Sequence, residues 1–443
     1  MQQFRVFPRI APLAFLGGAV AATSLLNLPQ PVQAAFHDSP KAVLDEAWQI
    51  VNREYVDTTF NQVDWQAARQ RLLSRNYTST EAAYGALRTE LERLGDPYTR
   101  FMNPDQYRSL TSQTSGELSG VGVRLRVDTG SKLLTVVEPI ANSPASEAGI
   151  QAGDRILAID GKRTQGMTVE DASRLIQGEI GTRITLKIER SGQNPFDLPL
   201  TRARIELPNV SFALRQEGDA RIGYIRLTEF SGHAPEQMKN AIERLLEQDA
   251  DGFVLDLRGN PGGLLQASIE ISRYWLEGVS IVRTVDRTGA SEEIKATQAA
   301  LTELPLAVLV DGGSASSSEI LTGALQDNNR AVVVGSQTFG KALVQSVHPL
   351  SDGSGLAVTI AHYYTPGGTD ISQRGITPNI EINLTEGQRR TLVSDQSLMG
   401  TVQDPQYLQA VTALQSSIAE NQNTAPDRLR LSAGQSQQPA RSN

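Results

Sequence analysis

Residues 304–345 read LPLAVLVDGGSASSSEILTGALQDNNRAVVVGSQTFGKALVQ, and no other stretch limits the fold as tightly. Residues 305–310 form an apolar run of strand length that stops at Asp311-Gly312-Gly313-Ser314, a cluster that belongs in a turn. A helix is expected next. Ser316, Ser317, Ser318 and Glu319 open it, and Ile320, Leu321, Ala324 and Leu325 have the spacing of a single helical stripe. A second apolar strand, residues 331–335, follows, and a glycine-containing loop then carries Phe339-Gly340-Lys341. The unit is strand, turn, helix, strand, which argues for an α/β layered architecture.

A serine in the first turn of a helix sits among unpaired backbone N–H groups at the positive end of the helix dipole, which favours a developing alkoxide or oxyanion. Ser316-x-x-Glu319 is equally the pattern of a capping box, which closes a helix end without doing chemistry. Lys341 tips the balance. The chain has only seven lysines and Lys341 is the last, although arginines continue to Arg441. A solvated face accepts either cation, whereas a general base must release its proton, which arginine cannot do. Bringing a lysine from about 10.4 to near 7 needs roughly 3.4 units, on the order of 4.6 kcal/mol, which burial can supply. Phe339, Ala342, Leu343 and Val344 provide apolar surroundings. If residues 341–347 are extended, Lys341, Leu343, Gln345 and Val347 share one face, so Gln345 can hold the amine by hydrogen bonding.

The run GSASSSEILTGALQDNNRAVVVGSQTFGKALVQ resembles the signature of carboxyl-terminal-processing proteases, tail-specific peptidases that use a Ser-Lys pair. The resemblance implies that Ser316 is the nucleophile, Lys341 the general base, Gln345 its orienting partner and Glu319 an accessory polar residue. Two positions depart from the family pattern: Ser317 stands where it has alanine, and Ala342 where it has glycine. Ser314, Ser316, Ser317 and Ser318 crowd together, and within the resemblance the spacing to Lys341 selects Ser316.

With 443 residues the chain has room for about three domains. Its net charge of -8 and lack of a basic cluster make nucleic acid an unfit partner. Cysteine is absent, so thiol catalysis, disulfides and thiolate metal sites are excluded. The four histidines, His37, His233, His348 and His362, show no paired metal spacing. No metal and no cofactor is expected.

Taken in order, residues 1–34 carry Arg5 and Arg9, then an apolar stretch, then Val32-Gln33-Ala34, which reads as an export signal peptide with small residues at its cleavage site. The competing reading is an uncleaved membrane anchor. Residues 35–110 are expected to be helical, with Val43, Leu44, Ala47, Ile50 and Val51 as one stripe, Ala83, Leu87, Leu91 and Leu94 as another, and a stop at Gly95-Asp96-Pro97. The segment LGDPYTRFMNPDQY, residues 94–107, also resembles the family and is assigned a structural role, since it offers no base or nucleophile.

Residues 114–200 read as a separate unit with strands at 121–127, 133–137, 155–159 and 184–188 and a helix at 169–177. Its segments SGVGVRL, SPASEAGIQAGDRILAIDG and GTRITLKI resemble a PDZ domain, a small β-sandwich or barrel insert. That resemblance implies that Gly120, Val121, Gly122 and Val123 receive a peptide's terminal carboxylate while the peptide adds as a strand. Taken alone, Gly120 and Gly122 are equally a plain turn. Arg155 is read as a surface residue that is within reach of a bound chain end.

Residues 204–385 read as the peptidase core, with strands at 222–227 and 252–257 and helices at 235–247 and 264–276. Arg258-Gly259-Asn260-Pro261-Gly262-Gly263 lies at a strand-to-helix turn where glycines let backbone N–H groups approach a ligand. DLRGNPGG matches the family, whose analogy assigns the oxyanion hole to the N–H groups of Gly262 and Ser317. Asp256 and Arg258 are read as a structural pair, and residues 362–380 as the rim of the site. Residues 386–443 carry one short helix at 405–418 and a disordered tail from 421.

The fold class expected is α+β multidomain: an N-terminal helical region, the PDZ insert and an α/β layered core of ClpP/crotonase-like type. The expected function is a serine endopeptidase that recognises protein substrates by an exposed carboxyl terminus and cleaves near it. A Ser-His-Asp protease would need a histidine beside the serine, and a non-catalytic PDZ scaffold would bind chain ends without cutting them. The N-terminal half resembles photosynthetic members. That implies the thylakoid lumen or periplasm, and as substrate the membrane-associated photosystem II reaction-centre precursor.

Overall fold

The computed structural model describes residues 39–128 and 130–434, so the export signal read at residues 1–34 lies outside the described residues. Helices α1 (Pro40–Glu54), α2 (Trp65–Ser74) and α3 (Thr80–Glu92) begin at Ser39, Asp64 and Ser79, whose side chains accept N–H bonds from Lys41, Ala67 and Ala82. Their buried stripes enclose Trp48 and Trp65. Strand β1 (Arg100–Met102) follows, then α4 (Pro104–Ser115), which is started by an Asn103–Gln106 capping box and stopped at Gly116 with φ 75°.

The chain then enters a second unit through β2 (Glu117–Gly120). This unit holds β3 (Val123–Val127), β4 (Leu134–Pro139), α5 (Pro144–Glu147), β5 (Arg155–Ile159), β6 (Lys162–Arg163), α6 (Val169–Ile176), β7 (Arg183–Glu189) and β8 (Phe196–Thr201). It exits through β9 (Ala203–Glu206), antiparallel to β2 from Glu117↔Glu206 to Gly120↔Ala203. One two-stranded ribbon therefore ties the unit to the rest of the chain. The sheet order is β3-β4-β5-β7-β8, which leaves one edge of β3 unpaired.

The remaining elements are β10 (Val210–Glu217), β11 (Ala220–Leu227), α7 (Ala234–Glu247), β12 (Gly252–Asp256), α8 (Leu265–Arg273), β13 (Ser280–Asp286), β14 (Ser291–Lys295) and β15 (Leu306–Val310). After them come α9 (Ser317–Asp327), β16 (Val332–Gly335), β17 (Leu343–Pro349), β18 (Gly355–Tyr364), β19 (Ile380–Glu381), α10 (Glu386–Ser394) and α11 (Pro405–Gly434). Among the described residues the core is a six-stranded sheet, β10-β11-β12-β15-β16-β19, parallel from β11 onward. Its central strands are apolar on both faces because both are covered. Phe253, Leu255, Val308 and Val310 pack with α7, α8 and α9 on one side. Val254, Ala307, Leu309 and Val334 pack against Tyr407, Ala410, Val411 and Leu414 of α11 on the other.

That second layer corrects two expectations. Ending the core at residue 385 removes the helix that buries one face of its sheet. The helix expected at 405–418 also continues to Gly434, into the stretch read as disordered. Its first half is anchored by the buried stripe, and propagation adds one hydrogen bond per residue once that nucleus exists. Conversely, the helix expected at 264–276 is shorter. Asp256 and Arg258 do pair, and Asp404, in the turn before α11, completes the group: Arg258 donates to Asp256 at 2.9 and 2.6 Å and to Asp404 at 3.0 and 2.6 Å. Burial alone would raise the Asp256 pKa, but the Arg258 guanidinium outweighs it and holds the carboxyl below its usual range.

A second sheet, β1-β18-β13-β14 with β17 on β18, brings the N-terminal helices to the core. Leu356 and Val358 of β18 pack into their apolar cluster, while Tyr363 of the same strand packs into that of the core.

Candidate active site

Strand β15 ends at Val310, and Asp311-Gly312-Gly313 turns the chain into α9 with Ser316 at its N-cap. Ser316 has φ 54° and ψ -113°, a sparsely populated backbone state that costs of order 1–3 kcal/mol. The four crowded serines are distinguished by their hydrogen bonds. Ser314 Oγ donates to Leu257 O at 2.9 Å, Ser317 Oγ to Gly263 O at 3.0 Å and Ser318 Oγ to Asn260 O at 2.9 Å. The Ser316 hydroxyl is half-buried and, alone of the four, donates to no backbone carbonyl among the described residues; the capping box read at Ser316–Glu319 is present, with Ser316 Oγ facing the Glu319 N–H and the Glu319 carboxylate accepting from Ser316 N–H.

Glu319, fully buried, accepts from four donors: Ser316 N–H at 2.8 Å and Lys341 N–H at 3.0 Å on Oε2, Thr338 Oγ1 at 2.6 Å and Gly340 N–H at 2.7 Å on Oε1. The sequence reading made it an accessory residue. The structure makes it a clasp between the start of α9 and the loop that carries Lys341. A second clasp was missed: buried Tyr363 donates its hydroxyl to Lys341 O at 2.6 Å and also lies 3.2 Å from Ser316 O. Burial and the Glu319 charge push the Tyr363 pKa up, so it stays a donor. Its only sequence signal was its place in the segment read as the rim.

Lys341 Nζ lies 4.6 Å from the centre of the Tyr98 ring. Burial pushes the amine below its ordinary value and Arg100 adds repulsion, while Asp96 and Glu319 pull the other way. The DPYT segment therefore does more than the structural role it was assigned. Asp96 accepts from Tyr98 N–H at 2.9 Å and from the hydroxyls of Thr99 and Thr359 at 2.7 Å, which fixes the turn beneath Lys341. Among the described residues no hydrogen bond joins Lys341 Nζ to Ser316 Oγ, and Gln345 Nε2 is buried without a partner. Strand β17 begins at Leu343, two residues past Lys341, and its register against β18 shifts between Val344 and Gln345 because β18 carries an extra residue, Ile360, at that point.

Gly262 packs where a Cβ would sit 2.9 Å from Ser316 Cβ and 3.0 Å from Ser317 N. Its N–H, expected to face an oxyanion, donates instead to Asn260 Oδ1 at 2.9 Å. The amides of Ser317 and Gly263 carry no such backbone bond. Among the described residues no histidine enters the site: His233 Nε2 lies 2.9 Å from Glu117, His348 Nε2 lies 2.7 Å from Glu54, and His362 is exposed.

In the second unit, Leu118 to Val123, Leu125, Ser173 and Ile176 line a cavity of about 60 Å³ beside the free edge of β3. Gly122 has φ 78°, and a Cβ there would sit 2.3 Å from Ser143 Cβ, so only glycine fits. The N–H groups of Val121 and Gly122 have no backbone acceptor among the described residues. Arg155 instead pairs with Glu189 at 3.2 Å.

Residues 221–382 match the profile of peptidase family S41 and residues 135–190 that of the PDZ domain. The chain is 45% identical over 351 residues to a carboxyl-terminal-processing protease of Synechocystis, covering 79% of this chain and 82% of that one. It belongs to peptidase family S41. Within the family it is also 39% identical over 376 residues to carboxyl-terminal-processing peptidase 3, chloroplastic, of Arabidopsis thaliana, with 82% and 72% covered. Among solved structures, the photosystem II D1 C-terminal processing protease superposes with a TM-score of 0.52 at 34% identity, over 83% of this chain and 99% of that one. This S41 member is thus a serine peptidase of the C-terminal processing type, with a PDZ domain and protein substrates.

Proposed function

We propose that Ser316 is the nucleophile and Lys341 the general base. The observation that carries this reading is the joining of Ser316, the one of the four crowded serines whose hydroxyl donates to no backbone carbonyl among the described residues, to half-buried Lys341 through a shared carboxylate. Neutral Lys341 takes the Ser316 proton as Oγ attacks the amide carbonyl. The C–N bond breaks, and the proton passes to the leaving amine. Water then cleaves the acyl-enzyme, with the same amine taking and returning its proton. Ser317 N–H and an amide of the Gly262-Gly263 turn hold the oxyanion; Asn260 must release Gly262 if that amide is the one used. Gln345 steadies the amine once it has reached Ser316. Catalytic hydrogen bonds tighten as substrate enters, and this step brings Lys341 Nζ onto Ser316 Oγ.

The free edge of β3 and the open amides of Val121 and Gly122 support capture of a carboxyl-terminal tail by Gly120, Val121, Gly122 and Val123. Cyanobacterial and chloroplast relatives support an exported enzyme of the lumen or periplasm that trims the membrane-associated photosystem II reaction-centre precursor. Among the described residues no helix is long and apolar enough to cross a membrane. The three layers of the core support the ClpP/crotonase-like arrangement, and the ribbon of β2 and β9, which flanks the unit, supports a PDZ domain over residues 114–200.

Mass spectrometry of the precursor incubated with wild type, Ser316→Ala and Lys341→Ala tests the chemistry. Trimming by wild type alone is expected, and trimming by Lys341→Ala at the wild-type rate would end the reading. Gly122→Val is expected to raise KM for tailed substrates at least about tenfold, because its Cβ forces the carboxylate-binding turn apart.

A further inference from the structure

The Lys341 amine lies over the ring of Tyr98, 4.6 Å from its centre, and that ring comes from a part of the chain outside residues 221–382 that match the peptidase family. An aromatic face attracts an ammonium through its quadrupole but has no comparable attraction for a neutral amine. The contact therefore discriminates between the two protonation states of one residue.

Arg100 of β1 repels the charge, while Asp96 in the preceding turn and Glu319 of α9 favour it. The Tyr363 hydroxyl of β18 is occupied by the Lys341 carbonyl. Tyr98 itself is kept protonated by burial, by Asp96 and by Glu319, so it offers a ring and no competing base. Asp96 accepts from the Tyr98 N–H and the Thr99 hydroxyl and so fixes the backbone that carries the ring, whereas the four-carbon stem of lysine has several rotatable bonds.

We propose that Tyr98 is a positioning residue for Lys341: its ring parks the ammonium form away from Ser316 and lets go of the amine once the proton has left. The inference rests on Lys341 being the general base. The consequence is a resting enzyme that keeps its serine unactivated while the lysine is charged. Loss of the proton to solvent both creates the base and frees it to reach Ser316.

Two measurements test this. In protein labelled with [ε-13C]lysine, the Lys341 Hε protons, assigned by their loss in Lys341→Arg, should lie upfield from the Tyr98 ring current at low pH. They should move downfield as the amine titrates. Tyr98→Phe should retain this behaviour and Tyr98→Leu should abolish the upfield position. In parallel, the acid limb of the kcat/KM profile should move about one pH unit lower in Tyr98→Leu and stay in place in Tyr98→Phe. An Hε shift that is independent of pH, or a limb that Tyr98→Leu leaves unmoved or shifts upward, would overturn the proposal. If Tyr98→Leu fails to fold, Tyr98→Trp takes its place, with a limb moved upward by the stronger ring as the supporting result and an unmoved limb as the opposing one. Lys341→Ala is assayed alongside. Should it cleave normally, the dyad reading fails, whatever the Tyr98 variants do; should it be inactive while the limb stays unmoved, only the Tyr98 proposal fails.

Discussion

The start of α9 and the loop from Thr338 to Lys341 meet at one site, yet they are held by opposite means. Ser316 is fixed by its backbone: a strained φ, an N–H on Glu319 and a carbonyl beside Tyr363. Lys341 has the same two clasps on its backbone, but its amine rests only on an aromatic face. A short side chain on a determined backbone has one place to put its oxygen, whereas a long one on an equally determined backbone keeps several. The comparison teaches that the protein invests its buried polar groups in the frame and leaves the last adjustment to the lysine stem.

The largest effect expected is on the two reacting groups. Ser316→Ala and Lys341→Ala should each lower kcat by about 10⁴-fold or more, with denaturant midpoints close to wild type. A large loss of stability in either would mean that the side chain, and not only its backbone, belongs to the frame. Glu319→Ala comes next. It strips four donors of their acceptor, so a destabilisation of about 3–5 kcal/mol is expected together with loss of activity. An unchanged urea midpoint would break the comparison, since the clasp would then hold nothing.

Tyr363→Phe sharpens it. Removing one hydroxyl that bonds the Lys341 carbonyl should cost about 1 kcal/mol of stability and lower kcat up to about tenfold, with KM unchanged. The smallest effect concerns pH. The folded Lys341 has a pKa below its ordinary value, so between that value and 10.5 the unfolded chain binds more protons than the folded one. Stability attributable to this group therefore rises with pH across that window and is lost as pH falls through the folded pKa. Urea midpoints of wild type and Lys341→Met over the window should converge at high pH. Activity should rise through the same window, because the base works only when neutral.

How much of this was legible in the sequence follows the range of the contacts. The unit of strand, turn, helix and strand around Ser316 appears nearly as read, because apolar periodicity and glycine punctuation are local signals. The strands of the PDZ unit were legible for the same reason, and most of their bounds differ by only a residue or two. Tyr98 and Tyr363 were invisible as site residues, because each reads as an ordinary aromatic until β1 and β18 pair in the second sheet. The oxyanion assignment to Gly262 came from resemblance, and the hydrogen bond from its N–H to Asn260 could not be read from spacing.

By itself the sequence determined which elements form, that a run of serines opens a helix after a glycine turn, and that Lys341 is the last of few lysines in an apolar segment. Only the tertiary structure decided what surrounds that lysine, which helix covers the second face of the core sheet, and how two backbone segments are bound to one carboxylate. The physical reason is that patterning acts over one or two turns of chain, whereas burial and hydrogen bonding at Lys341 are supplied by residues brought together from both ends of the molecule.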